Sequence, residues 1–572
     1  MLIFLDFPTG SLGLSGKKIM RSLKTLLVIL TFGISNMSLS QVDATRAFVN
    51  GKIWTGAAPA REATAMVLHA GRIVAVGDEA SLRPLIGKQT RVIDLKGKRV
   101  VPGFNDAHAH FMSGGFYLLG IDLRKARSPQ EFREIIKDYA AKLPADRWIT
   151  GGDWDHEAWP EKKWPTKELI DEVTPNNPVM VNRLDGHIAL ANTLALKLAG
   201  ITKDSADPYG GTIVRDPATG EPTGILIDNA QSLVYQHVPD PTLPELLQAA
   251  RAAQEHALSL GVTSVQEITA SAEELRAYQK LFTAGELKVR LYVFRPIHYR
   301  QQLGKSGILP GFGNHWLRIG GVKAFTDGSM GAGSALFYEP YADDPKTSGL
   351  ALQTKEELVK MIVEADSLGL QIALHAIGDQ ANTWALDAFA EALRRNGQRD
   401  SRHRIEHAQV VLPQDLPRFA ELGVIASIEP SHCIDDMRWA ERRIGERARH
   451  SYLFRSFVNH NARLAFGTDW TVEPLDPMLG LYAAVTREFP EGGPAGGWFP
   501  DEKISLEQAV EFYTLGSAYA EFTDRDKGTL EPGKLADFVV LDRDIFNIPP
   551  KELLNTKVVM TVVGGEIWFE RE

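Results

Sequence analysis

The stretch Val100 to His110, VVPGFNDAHAH, decides how the rest of the chain is read. A short apolar run enters, Pro102 and Gly103 interrupt it, and Asp106, His108 and His110 follow at alternating positions. Successive side chains of a strand point to opposite faces, so His108 and His110 are expected on one face, near enough for two imidazoles to grip one metal ion. The pattern alone is weak, because 15 histidines in 572 residues produce an H-x-H about 0.4 times by chance. Two surface histidines at a strand end would account for it equally well. The decision falls to the rest of the chain, where ligand-type residues recur at the ends of further short apolar runs.

A chain of this length, 44% hydrophobic and 24% charged, can bury a large core and suggests a large domain with accessories. Its formal net charge of -9 shows no basic excess for nucleic acid, and no block of like charges forms an interaction tail. The single cysteine, Cys433, excludes an intramolecular disulfide framework and a multi-thiolate zinc site, and reads as a plain thiol. Near the N-terminus, Arg21 and Lys24 precede the apolar run Leu26 to Ile34, and Ser38-Leu39-Ser40 stands before Gln41. This is the pattern of a signal peptide over about residues 20–40, with the start at Met1 or Met20 left open. The apolar run falls short of the roughly 20 residues that span a bilayer. A secreted or periplasmic protein with no stable membrane anchor after cleavage is the expectation.

From Asp43 to Leu95 the chain reads as short strands, AFVNGKIWT, AMVLHAGRIVAVG and TRVIDL. Asn50-Gly51 between apolar runs is a strong hairpin signal and Ala70-Gly71 a weaker one. The far end repeats this texture in Gly528 to Asp542 and Lys557 to Glu570, with Gly564-Gly565 at a turn. A strand alone cannot bury its apolar face, so residues 41–99 and 526–572 are expected to form one small sheet domain. The middle, residues 100–525, alternates strands and helices, the rhythm of an α/β parallel sheet. Eight strands are expected: Val100 to Asn105, Val262 to Glu267, Val289 to Phe294, Leu317 to Phe325, Gln371 to His375, His403 to Glu406, Val424 to Ile428 and Arg463 to Phe466. Eight such units suggest a (β/α)8, TIM-like barrel. The long gap after strand 1 holds an inserted lobe at about 114–240.

In such a barrel, chemistry sits where the C-terminal ends of the strands converge. His108 and His110 end strand one, Lys323 lies near the end of strand four, His375 ends strand five, His407 follows strand six and Asp469 follows strand eight. Taken singly, Lys323 could be a salt-bridge lysine, His375 a core histidine and Asp469 a turn residue. Placement at one rim argues against coincidence.

The set VPGFNDAHAH, GVKAFTDGS, ALHAIGD, RIEHAQ, FGTDWTVEPLDP and GTLEPGKLADFVVLD resembles the metal-dependent amidohydrolase superfamily, specifically amidohydrolase family 3. DGHIALAN at Asp185 to Asn192 and GGTIVRDPATGEPTGIL at Gly210 to Leu226 point to that family in particular. The resemblance covers nearly everything after the signal. It implies a (β/α)8 barrel, a small β-sandwich built from both termini, and a site for one or two divalent metals, often zinc. It further implies that His108, His110 and Asp469 hold one metal, that His375 and His407 hold a second, and that Lys323, carboxylated by carbon dioxide, bridges them. Metal-activated water would attack an amide-like bond of a small molecule, with Asp469 as catalytic residue passing the proton to the departing amine.

Weaker expectations concern other residues. Asp106 could orient a histidine or serve a turn, and Glu406, facing away from His407 in a strand, is expected in a structural ion pair. His187 resembles a family motif for substrate contact. Trp154, Trp159, Trp164 and Trp470 sit in predicted loops, where they would line an apolar pocket or pack the insert. The leading functional reading is an exported hydrolase of a carbon–nitrogen, non-peptide bond. An ester or lactone hydrolase, and a non-catalytic metal-containing binding or regulatory protein, are the alternatives; homo-oligomerisation is left open.

Overall fold

Val100 to Asn105, expected as one barrel strand, is divided at Gly103 between two domains in the computed structural model, which describes residues 44–59, 61–183, 188–208 and 210–571. Arg99–Pro102 is a strand of the terminal sheet domain, whereas Phe104–Ala109 (β1) opens the barrel. The backbone shows the transfer: Gly103 N donates to Asp537 O on the sheet-domain side, and Phe104 N donates to Gly261 O on the barrel side. A Cβ at Gly103 would lie 2.3 Å from Thr263 Oγ1, so only glycine permits this approach. As a consequence Asp106 and His108 lie inside the strand rather than beyond it. The signal pattern at about 20–40 and His187 lie outside the described residues. Among the described residues no helix is long and apolar enough to cross a membrane.

The barrel continues with β2 (Val262–Glu267), β3 (Arg290–Pro296), β4 (Leu317–Phe325), β5 (Gln371–Ala376), β6 (Arg404–His407), β7 (Ile425–Ile428) and β8 (Arg463–Phe466). Neighbours pair in parallel in that order, which realises the expected (β/α)8 architecture. Strands such as VTSVQE and IASI are buried on both faces, as a parallel sheet wrapped in helices requires. The seam between β8 and β1 is closed by the loop after β8, where Asp469 N donates to His108 O at 2.7 Å and His110 N to Trp470 O at 2.6 Å. Outside the strands, helix α1 (Phe111–Leu119) crosses helix α2 (Leu243–Ser259) so closely that a Cβ at Gly115 would lie 2.1 Å from Ala249 O. Helix α2 starts at a capping box of Thr242 and Glu245 and buries Leu246, Ala249, Ala250, Ala253 and Ala257, an apolar face at helical spacing.

Among the described residues, 46–102 and 538–570 supply the strands of a sandwich of a four-stranded and a six-stranded sheet. In the larger sheet, Phe538–Leu541 from the C-terminal part pairs with Arg99–Pro102. Ala70-Gly71 and Gly564-Gly565 are hairpin turns, all four residues at positive φ. Asn50-Gly51 is not: Arg46–Val49 belongs to one sheet and Lys52–Trp54 to the other. The crossing lets Phe48 and Ile53 enter the same core from opposite sheets, which a hairpin in one sheet would not provide. The sandwich is tied to the barrel by the buried ion pair Arg290–Asp537, with nitrogen–oxygen contacts of 2.6 and 2.8 Å.

The inserted lobe carries a five-stranded sheet around a core that includes Phe132, Ile136, Ile149, Trp154, Trp159 and Val181. Trp154, expected either to line a pocket or to pack the insert, takes the packing role: it is fully buried there, and its Nε1 donates to Val181 O at 2.9 Å. Trp470 likewise packs, its ring buried between His256 and Phe111, in place of the substrate contact also expected of it. Large aromatic faces gained more by packing the lobe and α1 than by lining an open mouth.

Candidate metal centre

Strand alternation places Asp106, His108 and His110 on one side of the end of β1, and the β8 loop completes that side. Asp106 does not touch an imidazole. Its carboxylate accepts from His108 N at 3.0 Å, from Thr468 N at 3.1 Å and from Thr468 Oγ1 at 2.6 Å, fastening the β8 loop to β1. Asp469, at φ 54, turns its Oδ1 to within 3.2 Å of His110 Nε2 and 3.5 Å of His108 Nε2. That oxygen is buried and accepts no hydrogen bond. Burial alone would raise the Asp469 carboxyl, but the neighbouring His108 and His110 outweigh it and hold it well below the usual carboxylate range.

His108 and His407 are each gripped from behind by a carboxylate. Glu406 Oε2 lies 2.6 Å from His108 Nδ1, and Glu429 Oε2 lies 2.8 Å from His407 Nδ1. Each contact fixes the ring and leaves Nε2 for another partner; at His407 burial is outweighed by Glu429, which raises the imidazole pKa. Burial, with the Lys323 charge in support, pushes His108 down to about 4, so its ring is neutral at neutral pH. Glu406 makes the expected ion pair, with Arg404, but it also reaches His108. In a regular strand it would face away from His407; here His407 and Ala408 adopt φ 70 and 39, and the alternation breaks at that point. His375 lies beside His407, ring centroids 4.5 Å apart, and its Nε2 stands 3.2 Å from Gly328 O. Burial, reinforced by His407 and Lys323, keeps its pKa well below the usual imidazole range.

Lys323 is buried beneath these groups, its Nζ 4.8 Å from the Phe325 ring. Burial lowers its pKa, against the opposing pull of Glu406, Asp469 and Glu429. Among the described residues no carboxylate oxygen lies within 4.0 Å of its amine, so the salt-bridge alternative is not realised.

Glu429 and His432, unforeseen in the sequence, also belong here. Both follow β7 in SIEPSHC, and the same strand-end rule that selected His375 would have found them. Three groups each bring ligand atoms within 4.8 Å of one another: His108, His110 and Asp469; His108, His407 and Glu429; His407, His432 and Asp469. Asp327, after β4, instead accepts from the backbone nitrogens of Leu336, Ile377 and Gly378 and serves the loops.

These residues fit a divalent ion. Asp469 Oδ1, Glu429 Oε1 and His432 Nε2 are buried without hydrogen-bond partners, as polar atoms awaiting a cation would be. Three buried carboxylates, Glu406, Glu429 and Asp469, all held below the usual range, bring negative charge to the site. The donors are nitrogen and oxygen only. Cys433 is buried, its thiol pushed up to about 11, and offers no thiolate.

Comparison with known proteins agrees with this geometry. A family model described as "Amidohydrolase family" matches residues 91–569. The Arabidopsis thaliana protein LONG AFTER FAR-RED 3 is 40% identical over 534 residues, covering 90% of each chain. The N-substituted formamide deformylase of Arthrobacter pascens is 29% identical over 541 residues, covering 91% of this chain and 98% of its own. The crystal structure of a metal-dependent hydrolase from Pyrococcus furiosus superposes with a TM-score of 0.75 at 34% identity, over 88% of this chain and all of that one. The chain therefore belongs to the amidohydrolase family.

Proposed function

We propose that the protein is an exported enzyme that hydrolyses an amide-like, non-peptide bond of a small molecule, with N-formyl and N-acyl amines as the substrates of first choice. The observation that carries this reading is the unpartnered Asp469 carboxylate oxygen facing His110 and His108. The similarity to a deformylase of N-substituted formamides supports the substrate class.

His108, His110 and Asp469 would hold one ion and His375 and His407 a second, zinc being suited to imidazole and carboxylate donors. Bound there, such ions lower the pKa of water and polarise the scissile carbonyl. The remaining chemistry belongs to the chain. Glu406 and Glu429 hold their imidazoles in the productive orientation, and Asp469 takes the proton of the attacking water on its carboxylate and returns it to the departing nitrogen. Lys323 as a carbamate would bridge the two positions: carbon dioxide joins the neutral amine and a proton leaves. Its lowered pKa and lack of an ion-pair partner favour that neutral amine. The change from a neutral amine to a carbamate adds one negative charge to a site that already holds the carboxylates Glu406, Glu429 and Asp469, which suits divalent cations.

Metal analysis of purified protein tests the reading: about one to two equivalents of a divalent ion and loss of activity on chelation are expected. Full activity of metal-free protein on N-formyl, N-acyl or cyclic amide compounds would refute it. Labelled carbon dioxide should give a carbamate carbon signal that disappears in Lys323→Ala. For export, the mature N-terminus recovered from cells should lie near Gln41, and an intact N-terminus in the cytoplasm would overturn that part.

A further inference from the structure

His432 has no part in the ligand set above, yet its Nε2 is buried and finds no hydrogen-bond partner among the described residues. It sits in the short helix Pro430–Asp436, three residues after Glu429, where the chain turns back from β7. Its ring lies nearly parallel to that of His407, with centroids 6.1 Å apart and planes inclined by 16°. Glu429 stands on the Nδ1 side of both rings: its Oε2 is 2.8 Å from His407 Nδ1 and 3.9 Å from His432 Nδ1. The two nitrogens of an imidazole point outward on diverging lines. With Nδ1 of each ring on the Glu429 side, the other nitrogen of each ring remains for a different partner. A nitrogen of each ring and a carboxylate oxygen of Asp469 lie within 4.8 Å of one another.

We propose that His432 is a further ligand of the metal centre, completing with His407 and Asp469 a position for a divalent cation, with Glu429 as the carboxylate shared behind both imidazoles. The proposal rests on the metal-dependent reading above and adds a ligand to it. Zinc–nitrogen bonds are about 2.0–2.1 Å and the geometry is tetrahedral, so ligand atoms of one ion stand roughly 3.4 Å apart. From mutual spacings of up to 4.8 Å the three side chains close on an ion by roughly 1 Å, a movement that side-chain rotation supplies. A ligating histidine commonly donates its other N–H to a carboxylate. Glu429 already serves His407 in this way, and it retains an unpartnered Oε1.

The test uses the full-length protein loaded with cobalt(II), comparing wild type with His432→Ala and His432→Asn. Expected are a tenfold or greater loss of metal affinity in chelator competition and an altered visible cobalt spectrum at saturating metal. Melting of the metal-free forms reports whether each variant folds. In the wild type itself, paramagnetically shifted imidazole N–H signals should number one ring more than the four of His108, His110, His375 and His407, a count that needs no variant. Wild type that binds cobalt, with variants of unchanged affinity and spectrum, would overturn the assignment while leaving the metal-dependent reading intact. A raised KM with unchanged metal binding would do the same, making His432 a substrate contact. Wild type that binds no metal would overturn both.

Discussion

Glu406 Oε2 lies 2.6 Å from His108 Nδ1, and both side chains are sealed from solvent. Glu406 is an anion held well below the usual range, burial being outweighed by Arg404 and His108, while His108 is neutral above about pH 4. The pair therefore fixes the Nδ1–H tautomer of His108 and leaves Nε2 bare beside Asp469. Glu406→Gln keeps the shape but removes the charge. Metal affinity is expected to fall about 10–100-fold, the usual effect of losing such a partner, in competition against a chelator. Unchanged affinity would show that Glu406 serves Arg404 alone.

Asp469→Asn separates catalysis from binding. The variant should retain most of its metal through the histidines and Lys323, yet lose about 10²-fold or more in turnover. Metal content and rate are to be measured on one preparation. Near-normal turnover at normal metal content would remove the proton-transfer role and favour the binding-protein reading.

Gly114→Ala probes how the β8 loop is held. An added Cβ would lie 2.2 Å from Trp470 Cζ3, in a ring that closes the loop carrying Asp469. Helix propensity favours alanine by about 0.8–1.0 kcal/mol, but overpacking costs about 1–3 kcal/mol, so net destabilisation is expected. Melting temperature and turnover should fall together; a variant more stable than its parent would contradict the packing described here.

Asp366 supplies a pH signature away from the metal centre. Its Oδ1 receives His403 Nε2 at 2.9 Å and the Arg399 guanidinium at 2.5 Å. Burial would raise the carboxyl, yet His403, Asn396 and Arg399 bring it down to about 2. A carboxylate lowered on folding adds stability that is complete above its unfolded pKa of about 3.9 and is lost as pH falls towards the folded value. Asp366→Asn should therefore melt well below wild type at pH 7, with the gap narrowing between about pH 4 and pH 2. A gap independent of pH would assign the loss to packing.

Much of this protein was legible one segment at a time. Alternation in FNDAHAH put His108 and His110 on one side, and the strand-end rule marked Lys323, His375, His407 and Asp469, because both are local properties of a strand. Several features required the closed barrel and sandwich. Gly103 hands the chain from one domain to the other, and Asn50-Gly51 crosses between sheets instead of turning within one. The reversal of φ at His407 lets that residue share a site with Glu406, which meets His108 across 298 residues of chain. Glu429 meets His407, and His432 approaches Asp469, only because β6, β7 and β8 stand side by side with β1 across the seam. Periodicity determines which face a side chain occupies, whereas barrel closure decides which faces meet; the ligand types were therefore set in the sequence, and their carboxylate partners by the tertiary structure.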